Sequence, residues 1–199
     1  MMSRLNDLPM GFGDPVADSQ SAFRAALRAL SHPGETVECV APAPAVAGLM
    51  PATVALLLAL TDHETPVWWA CGHPAPWLRF HTGAPAAQSA NAAHFAVVAH
   101  ALPPPELALL NAGTDESPER STTLLLELPS LTGGRSALWS GPGLREPLAV
   151  SLAGLPPTFW SQWRDMHAMF PRGVDVLFIQ GRHIVGLPRT TRVQAMEER

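Results

Sequence analysis

Two short segments place arginine beside hydroxyl side chains, a combination that can bind an anion. They are residues 78–82, with the sequence LRFHT, and residues 188–192, with the sequence PRTTR. A guanidinium group matches two phosphoryl oxygens at once, and serine or threonine adds short hydroxyl donors. The candidate substrate-binding or anion-binding residues are Arg79, His81, Thr82, Arg189, Thr190 and Thr191.

The same segments have a structural alternative. Their arginines can pair with Asp175 or Glu64 in an ion-pair network, or each segment can form a solvated edge strand. The sequence leaves both interpretations open, and it assigns no catalytic residue.

The composition excludes several other chemistries. All 13 basic residues are arginine, so the chain can form neither a lysine Schiff base nor a P-loop. Neither the G-x-S-x-G elbow of hydrolases nor a G-x-G-x-x-G phosphate loop occurs. Cys71 and His73, with His81 nearby, are the best local cluster of metal-binding residue types, but no paired ligand spacing accompanies them. We therefore expect no metal and no cofactor.

Charge and hydrophobicity limit the partners. The 199-residue chain carries a formal net charge of -4, which argues against a nucleic acid or an anionic membrane surface as its ligand. The longest apolar run, residues 47–60, is interrupted by Pro51 and is too short to span a membrane. Two cysteines and the lack of a signal-like N-terminal pattern predict a cytoplasmic protein.

Apolar runs predict the strands that must position these residues. Residues 66–70 and 95–99 are continuous apolar runs, as expected for strands inside a sheet that is covered on both faces. A strand, tight turn and strand pattern covers residues 174–187. We predict a single α/β domain, residues 18–199, with a mixed β-sheet flanked by helices, preceded by an N-terminal arm of residues 1–17.

Two helices are predicted in the first third of the chain. The first begins at Asp18 as its N-cap and buries Phe23, Leu27 and Leu30, which recur at helical spacing. The second, residues 52–60, is apolar nearly all round, so it should lie between layers.

Further helices and a loop are predicted toward the C-terminus. Residues 103–112 form a short helix candidate, and residues 113–121 form a polar loop. Residues 157–170 carry apolar side chains at helical spacing, so they should cover one sheet face. The six tryptophans should mostly be core residues, with Trp77 and Trp160 as candidates for a protein interface.

A collinear set of short motifs runs through nearly the whole chain. The motifs are FR at 23–24, SHPG at 31–34, LLALTD at 57–62, TPVW at 65–68, LRFHT at 78–82, GT at 113–114, SLTGG at 130–134, GPG at 141–143, GVD at 173–175 and LPRTT at 187–191. In this order they resemble the H subunit family of the carbon-phosphorus lyase machinery, which breaks down organophosphonates.

The resemblance implies a fold, an activity and partners. The fold would be similar to that of pyridoxal-phosphate-dependent transferases without the cofactor, and the missing lysine agrees with this. The subunit would form a homodimer and assemble with subunits G, I and J. This transferase complex forms alpha-D-ribose 1-methylphosphonate 5-triphosphate from ATP and methylphosphonate, so a phosphonate or a nucleotide is the expected ligand.

The expected role within that complex is accessory. The subunit would shape the site and would not be active alone. Carbon-phosphorus cleavage belongs in the family to a radical iron-sulfur partner, and Cys39 and Cys71 are too few to hold its cluster. The alternatives are a pure structural scaffold or a stand-alone small-molecule-binding protein.

Overall fold

The computed structural model of the chain describes residues 9–40, 45–70, 75–99 and 102–196. Residues 1–8, which belong to the predicted arm, lie outside the described residues. The division between an arm and a domain therefore stays a prediction.

Within the described residues, nine strands form two sheets. They are β1 (Thr36–Glu38), β2 (Val67–Trp69), β3 (Phe95–Val98), β4 (Thr123–Glu127), β5 (Ser136–Ser140), β6 (Leu148–Ser151), β7 (Asp175–Gln180), β8 (His183–Leu187) and β9 (Arg192–Ala195). The main sheet has the order β1-β8-β7-β4-β3-β2, and the second has the order β6-β5-β9. Strands β2, β3, β4 and β7 run parallel, whereas β8 is antiparallel to both of its neighbours. The predicted mixed sheet and the β7–β8 hairpin are confirmed.

Helices cover both faces of the main sheet. They are α1 (Pro15–Ser31), α2 (Pro51–Leu60), α3 (Ala75–Thr82) and α4 (Phe159–His167). Side chains of α1, α2 and α3 share one core cluster with Leu125 and Leu177, on one face of the sheet. Side chains of α4 and of the second sheet share the other cluster with Leu124 and Phe178. No helix in the described ranges is long and apolar enough to cross a membrane.

Helix α2 is confirmed as a helix buried between layers. Pro51 begins it, in the first-turn position where a proline costs no backbone hydrogen bond. At its N-terminus, one oxygen of the buried Glu127 carboxylate accepts hydrogen bonds from the Met50 N–H at 2.7 Å and from the Thr53 hydroxyl at 2.6 Å. A carboxylate is favourable there because the helix dipole is positive at that end.

Helix α1 begins earlier than the sequence predicts. Asp14 is the N-cap, and its carboxylate accepts from the N–H groups of Val16 at 3.2 Å and Ala17 at 3.1 Å. Asp18 lies inside the first turn, where its carboxylate accepts from the Asp14 N–H at 3.0 Å. The prediction of Asp18 as the cap is therefore wrong, because the proline at position 15 already suits the first helical position.

The buried face of α1 also differs from the prediction. Phe23 is 51% exposed and Leu27 is 56% exposed, whereas the buried positions are mostly alanine. The reason is the close approach of α1 to β8. A Cβ atom added at Gly186 would lie 2.3 Å from the carbonyl oxygen of Ala29, so helix and strand meet backbone to backbone. Only small side chains fit between them.

The helix predicted over residues 103–112 is wrong. Only a 3-10 turn, Leu107–Leu109, forms there. Three consecutive prolines at 103–105 supply no N–H groups to an α-helical ladder, which accounts for the difference.

Helix α4 is confirmed, but it is shorter than predicted. It ends at His167, so Phe170 lies beyond it and is 56% exposed. Trp77 and Trp160 are both buried inside the chain, which leaves neither indole on the surface for a partner.

Candidate functional site

Residues 188–191 connect β8 to β9, and an ion pair fixes this connection in place. The Arg189 N–H donates to Asp175 Oδ1 at 2.8 Å, and its Nη2 donates to Asp175 Oδ2 at 2.5 Å. A further donor of the same guanidinium, Nη1, bonds to the Pro118 carbonyl. The two charged side chains are only 16% and 18% exposed. Arg189 is therefore neutralised within the fold.

Helix α4 holds the same connection from the other side. The indole N–H of Trp163 donates to the Thr191 carbonyl at 3.0 Å. His167 Nδ1 lies 2.9 Å from the Arg189 carbonyl. A carbonyl can only accept, so Nδ1 carries the proton and Nε2 is left for another partner. The backbone on both sides of Thr190 is thus anchored to α4.

A cleft opens beside this connection, between the C-terminal end of α4 and the second sheet. Its volume is about 560 Å³, within the roughly 300–1,000 Å³ of ordinary ligand sites. The described residues that line it are Ser140, Gly141, Pro142, His167, Phe170, Thr190 and Arg192. We call this the α4–β9 cleft.

The α4–β9 cleft is rich in donors. Ser140 at the end of β5 pairs with Arg192 at the start of β9 in the antiparallel register, and both residues line the cleft. Thr190 adds a second hydroxyl, and His167 adds the imidazole of α4. None of the described lining residues is acidic, and Arg192 forms no salt bridge within the described ranges. The cleft is therefore suited to an anion.

Gly141 lines the cleft next to Thr190. Its φ angle of 137° is one that residues with a side chain rarely adopt. A Cβ atom there would lie 3.0 Å from the Thr190 carbonyl oxygen. The glycine thus allows the turn after β5 to pack directly on the connection that carries Thr190.

The other predicted segment, residues 78–82, lies in helix α3. His81 Nε2 lies 2.9 Å from the Pro9 carbonyl, and the Thr82 hydroxyl donates to the Leu78 carbonyl at 2.9 Å. Arg79 is exposed and forms no salt bridge with any residue that the structure describes. Since α3 and α4 cover opposite faces of the main sheet, the two predicted segments are not brought together.

The structure thus places the three candidate residues of the second segment in three different settings. Thr190 lines the α4–β9 cleft, whereas Arg189 pairs with Asp175, and Thr191 is buried with no hydrogen-bond partner for its hydroxyl among the described residues. The sequence did not identify Ser140, His167 or Phe170, because Ser140 ends β5 whereas His167 and Phe170 lie at and just beyond the end of α4, and none of them belongs to a recognised ligand pattern. Arg192 belonged to the second segment but was not singled out.

A metal site finds no support in the described part of the chain. No group of three or more histidine, cysteine, aspartate or glutamate residues there is arranged to hold an ion. Cys71 and His73, the best local cluster by sequence, lie outside the described residues.

Comparisons with known proteins place this chain in a family. The model of the family described as bacterial phosphonate metabolism protein (PhnH) matches residues 10–194. Over 187 residues, 92% of this chain and 94% of the relative, the chain is 35% identical to alpha-D-ribose 1-methylphosphonate 5-triphosphate synthase subunit PhnH of Rhizobium meliloti (strain 1021). A shorter match, 31% identical over 81 residues, covers 41% of this chain and 42% of the protein named "Putative C-P lyase subunit protein HtxG" from Stutzerimonas stutzeri. The chain therefore belongs to the PhnH family of bacterial phosphonate metabolism proteins.

Proposed function

We propose that this chain is a subunit of a carbon-phosphorus lyase core complex that makes alpha-D-ribose 1-methylphosphonate 5-triphosphate from ATP and methylphosphonate. The observation that carries the proposal is the likeness to a synthase subunit over 92% of this chain and 94% of that relative.

The proposed role is accessory, and the chain is not active alone. Its composition supports this, since it offers no lysine for Schiff-base chemistry and too few cysteines for an iron-sulfur cluster. The principal catalytic groups would then belong to the other subunits, while this chain shapes or stabilises the site that they form.

The proposed partners are a second copy of this chain and the G, I and J subunits of the complex, in the cytoplasm. The fold would be similar to that of pyridoxal-phosphate-dependent transferases, without the cofactor. Large apolar side chains left exposed on α1, namely Phe23 and Leu27, are available for contacts of this kind.

A pure scaffold is the second candidate. The observation that favours it is the saturation of Arg189, whose guanidinium binds Asp175 and the Pro118 carbonyl and so needs no ligand. Ligand binding in the α4–β9 cleft distinguishes the two candidates, because a pure scaffold would bind no ligand at the donors that line the cleft.

Reconstitution tests the proposed function. A tagged form of the full chain is co-expressed with the G, I and J subunits, and the purified assembly is assayed for adenine release from ATP in the presence of methylphosphonate. We expect co-purification, turnover by the assembly, and no turnover by the chain alone or by the assembly without it. Turnover by the isolated chain, or full activity of the other subunits without it, would contradict the proposal.

A further inference from the structure

We propose that the α4–β9 cleft binds a tetrahedral phosphorus oxyanion, the head group of a phosphonate or the phosphate of a nucleotide. Arg192, His167 and the hydroxyls of Thr190 and Ser140 are its ligand-binding groups. The oxyanion chemistry rests on these residues themselves. The choice between phosphonate and nucleotide as the source rests on the proposed function.

The donors in the cleft match such an oxyanion in number and kind. The Arg192 guanidinium can give two parallel hydrogen bonds to two oxygens, which a planar carboxylate or a tetrahedral head group accepts equally well. Two hydroxyls on the neighbouring elements add donors for a third oxygen, and this favours the tetrahedral group. Because His167 Nδ1 already donates to the Arg189 carbonyl, Nε2 adds a further donor only when the ring is doubly protonated.

The site is held in position before any ligand arrives. The Thr190 backbone is anchored on both sides by α4, through His167 and Trp163. Arg192 begins β9, and its strand pairing with Ser140 fixes the backbone positions of these two residues. A backbone that is already held in place loses little entropy on binding, which is how a small anion is bound without large motions.

Charge also favours the cleft over the rest of the surface. The whole chain has a net charge of -4, whereas the cleft has an arginine and no acidic residue among its described lining residues. The acidic group nearest to the connection, Asp175, is neutralised by Arg189. The ion pair that occupies Arg189 thus leaves Arg192 as the arginine facing the cleft.

The apolar wall distinguishes a phosphonate or a nucleotide from inorganic phosphate. Phe170 and Pro142 line the cleft together with the donors, and the Phe170 ring centroid lies 6.4 Å from that of His167. An alkyl group next to the phosphorus, or a nucleobase, can contact this wall, whereas inorganic phosphate cannot. Phe170→Ala should therefore lower the affinity for methylphosphonate or for ATP, whichever contacts the ring, and leave the affinity for inorganic phosphate unchanged.

Calorimetry on the full chain at low ionic strength tests the proposal with four probes: inorganic phosphate, methylphosphonate, ATP and adenosine. The three probes with a phosphorus oxyanion should bind, adenosine should not, and added salt should weaken binding. In amide NMR spectra, resonances of Ser140, Gly141 and residues 190–192 should shift, while those of residues 79–82 should not.

A matched pair of variants locates the binding. Arg192→Gln should lower the affinity for the oxyanion about tenfold to hundredfold, because a charge-assisted pair of hydrogen bonds is lost. Arg79→Gln removes the same charge from an exposed arginine on α3 and should change the affinity less than about twofold. Arg192→Lys, which keeps the charge without the planar fork, covers the case in which the glutamine variant folds poorly, and it should bind less tightly than the wild type.

Three results would overturn the inference: no heat and no spectral shift with any probe, equal losses in the two glutamine variants, or adenosine binding as tightly as ATP. The proposed function fails differently, through absence of co-purification with the G, I and J subunits. Because Arg192→Gln should still join the assembly, binding and assembly are scored independently.

Discussion

The two segments with arginine beside hydroxyl groups, residues 78–82 and 188–192, have similar composition but different surroundings. In α3, His81 and Thr82 use hydrogen-bonding atoms to hold neighbouring backbone, and Arg79 extends into solvent. In the connection before β9, the Asp175 carboxylate occupies Arg189, while Thr190 lines a cleft beside Arg192. The second segment differs in that Thr190 and Arg192 line one cleft together with Ser140 and His167.

The difference shows that the availability of a donor depends on what the rest of the chain places beside it. Asp175 lies at the start of β7 and Pro118 lies in a 3-10 turn, and both converge on one guanidinium. Because these two residues occupy Arg189, the next arginine along, Arg192, becomes the candidate for binding.

Removing the charge of Asp175 should give the largest effect on stability. Asp175→Asn leaves the largely buried Arg189 without its counter-charge, so the free energy of unfolding should fall by about 3 kcal/mol. Urea denaturation followed by tryptophan fluorescence measures the change. Binding of phosphate in the α4–β9 cleft should weaken as well, since the connection carrying Thr190 loses its anchor.

Two further variants control for this prediction. Glu35→Gln breaks the Arg28–Glu35 pair, whose side chains are 60% and 37% exposed, and should cost no more than about 0.5 kcal/mol. The double variant Asp175→Asn with Arg189→Gln removes both buried charges and should recover part of the loss. Equal losses in the free energy of unfolding for Asp175→Asn and Glu35→Gln would mean that burial adds nothing to the contribution of the Arg189–Asp175 pair.

A smaller effect is expected where the turn after β5 meets the connection. Gly141→Ala should cost about 2 kcal/mol, because φ is 137° and the new Cβ would lie 3.0 Å from the Thr190 carbonyl oxygen. Gly133→Ala is the matched control: its φ is 82°, but no atom lies within 4 Å of its Cβ, so it should cost about 1 kcal/mol. Thermal and urea unfolding compare the two, and only Gly141→Ala should weaken phosphate binding. A loss of binding in both would point to a general effect on the fold.

Much of the fold could be predicted, because strands buried on both faces need continuous apolar runs. Strands β3 and β7 are of this kind. Helix α2 was predictable for a similar reason, because a helix buried between layers is apolar nearly all round. The buried face of α1 could not be predicted, because it depends on Gly186, a residue far along the chain that lets the helix backbone approach β8. Local spacing made Phe23 and Leu27 the better candidates, although they are exposed.

The candidate site was predictable only in part. The sequence identifies the segment that carries Thr190 and Arg192, since an arginine beside hydroxyls is a local pattern. His167 and Ser140 come from α4 and β5, and nothing in their own neighbourhoods marks them. The pairing of Ser140 with Arg192 is a matter of strand register between distant segments, which the sequence pattern does not specify.

The smallest expected effects compare a threonine hydroxyl from each segment, that of the part-buried Thr82 and that of the buried Thr191. The Thr82 hydroxyl donates to the Leu78 carbonyl at 2.9 Å and accepts from the Ala84 N–H at 3.2 Å, so Thr82→Val should cost about 1 kcal/mol. The Thr191 hydroxyl is buried with no hydrogen-bond partner among the described residues, so Thr191→Val should be neutral or slightly stabilising. Valine keeps the branched shape in both cases, and paired urea melts measure the difference. A substantial loss of stability in Thr191→Val would show that its hydroxyl has a partner, such as a bound water, and would narrow the contrast between the segments to their arginines.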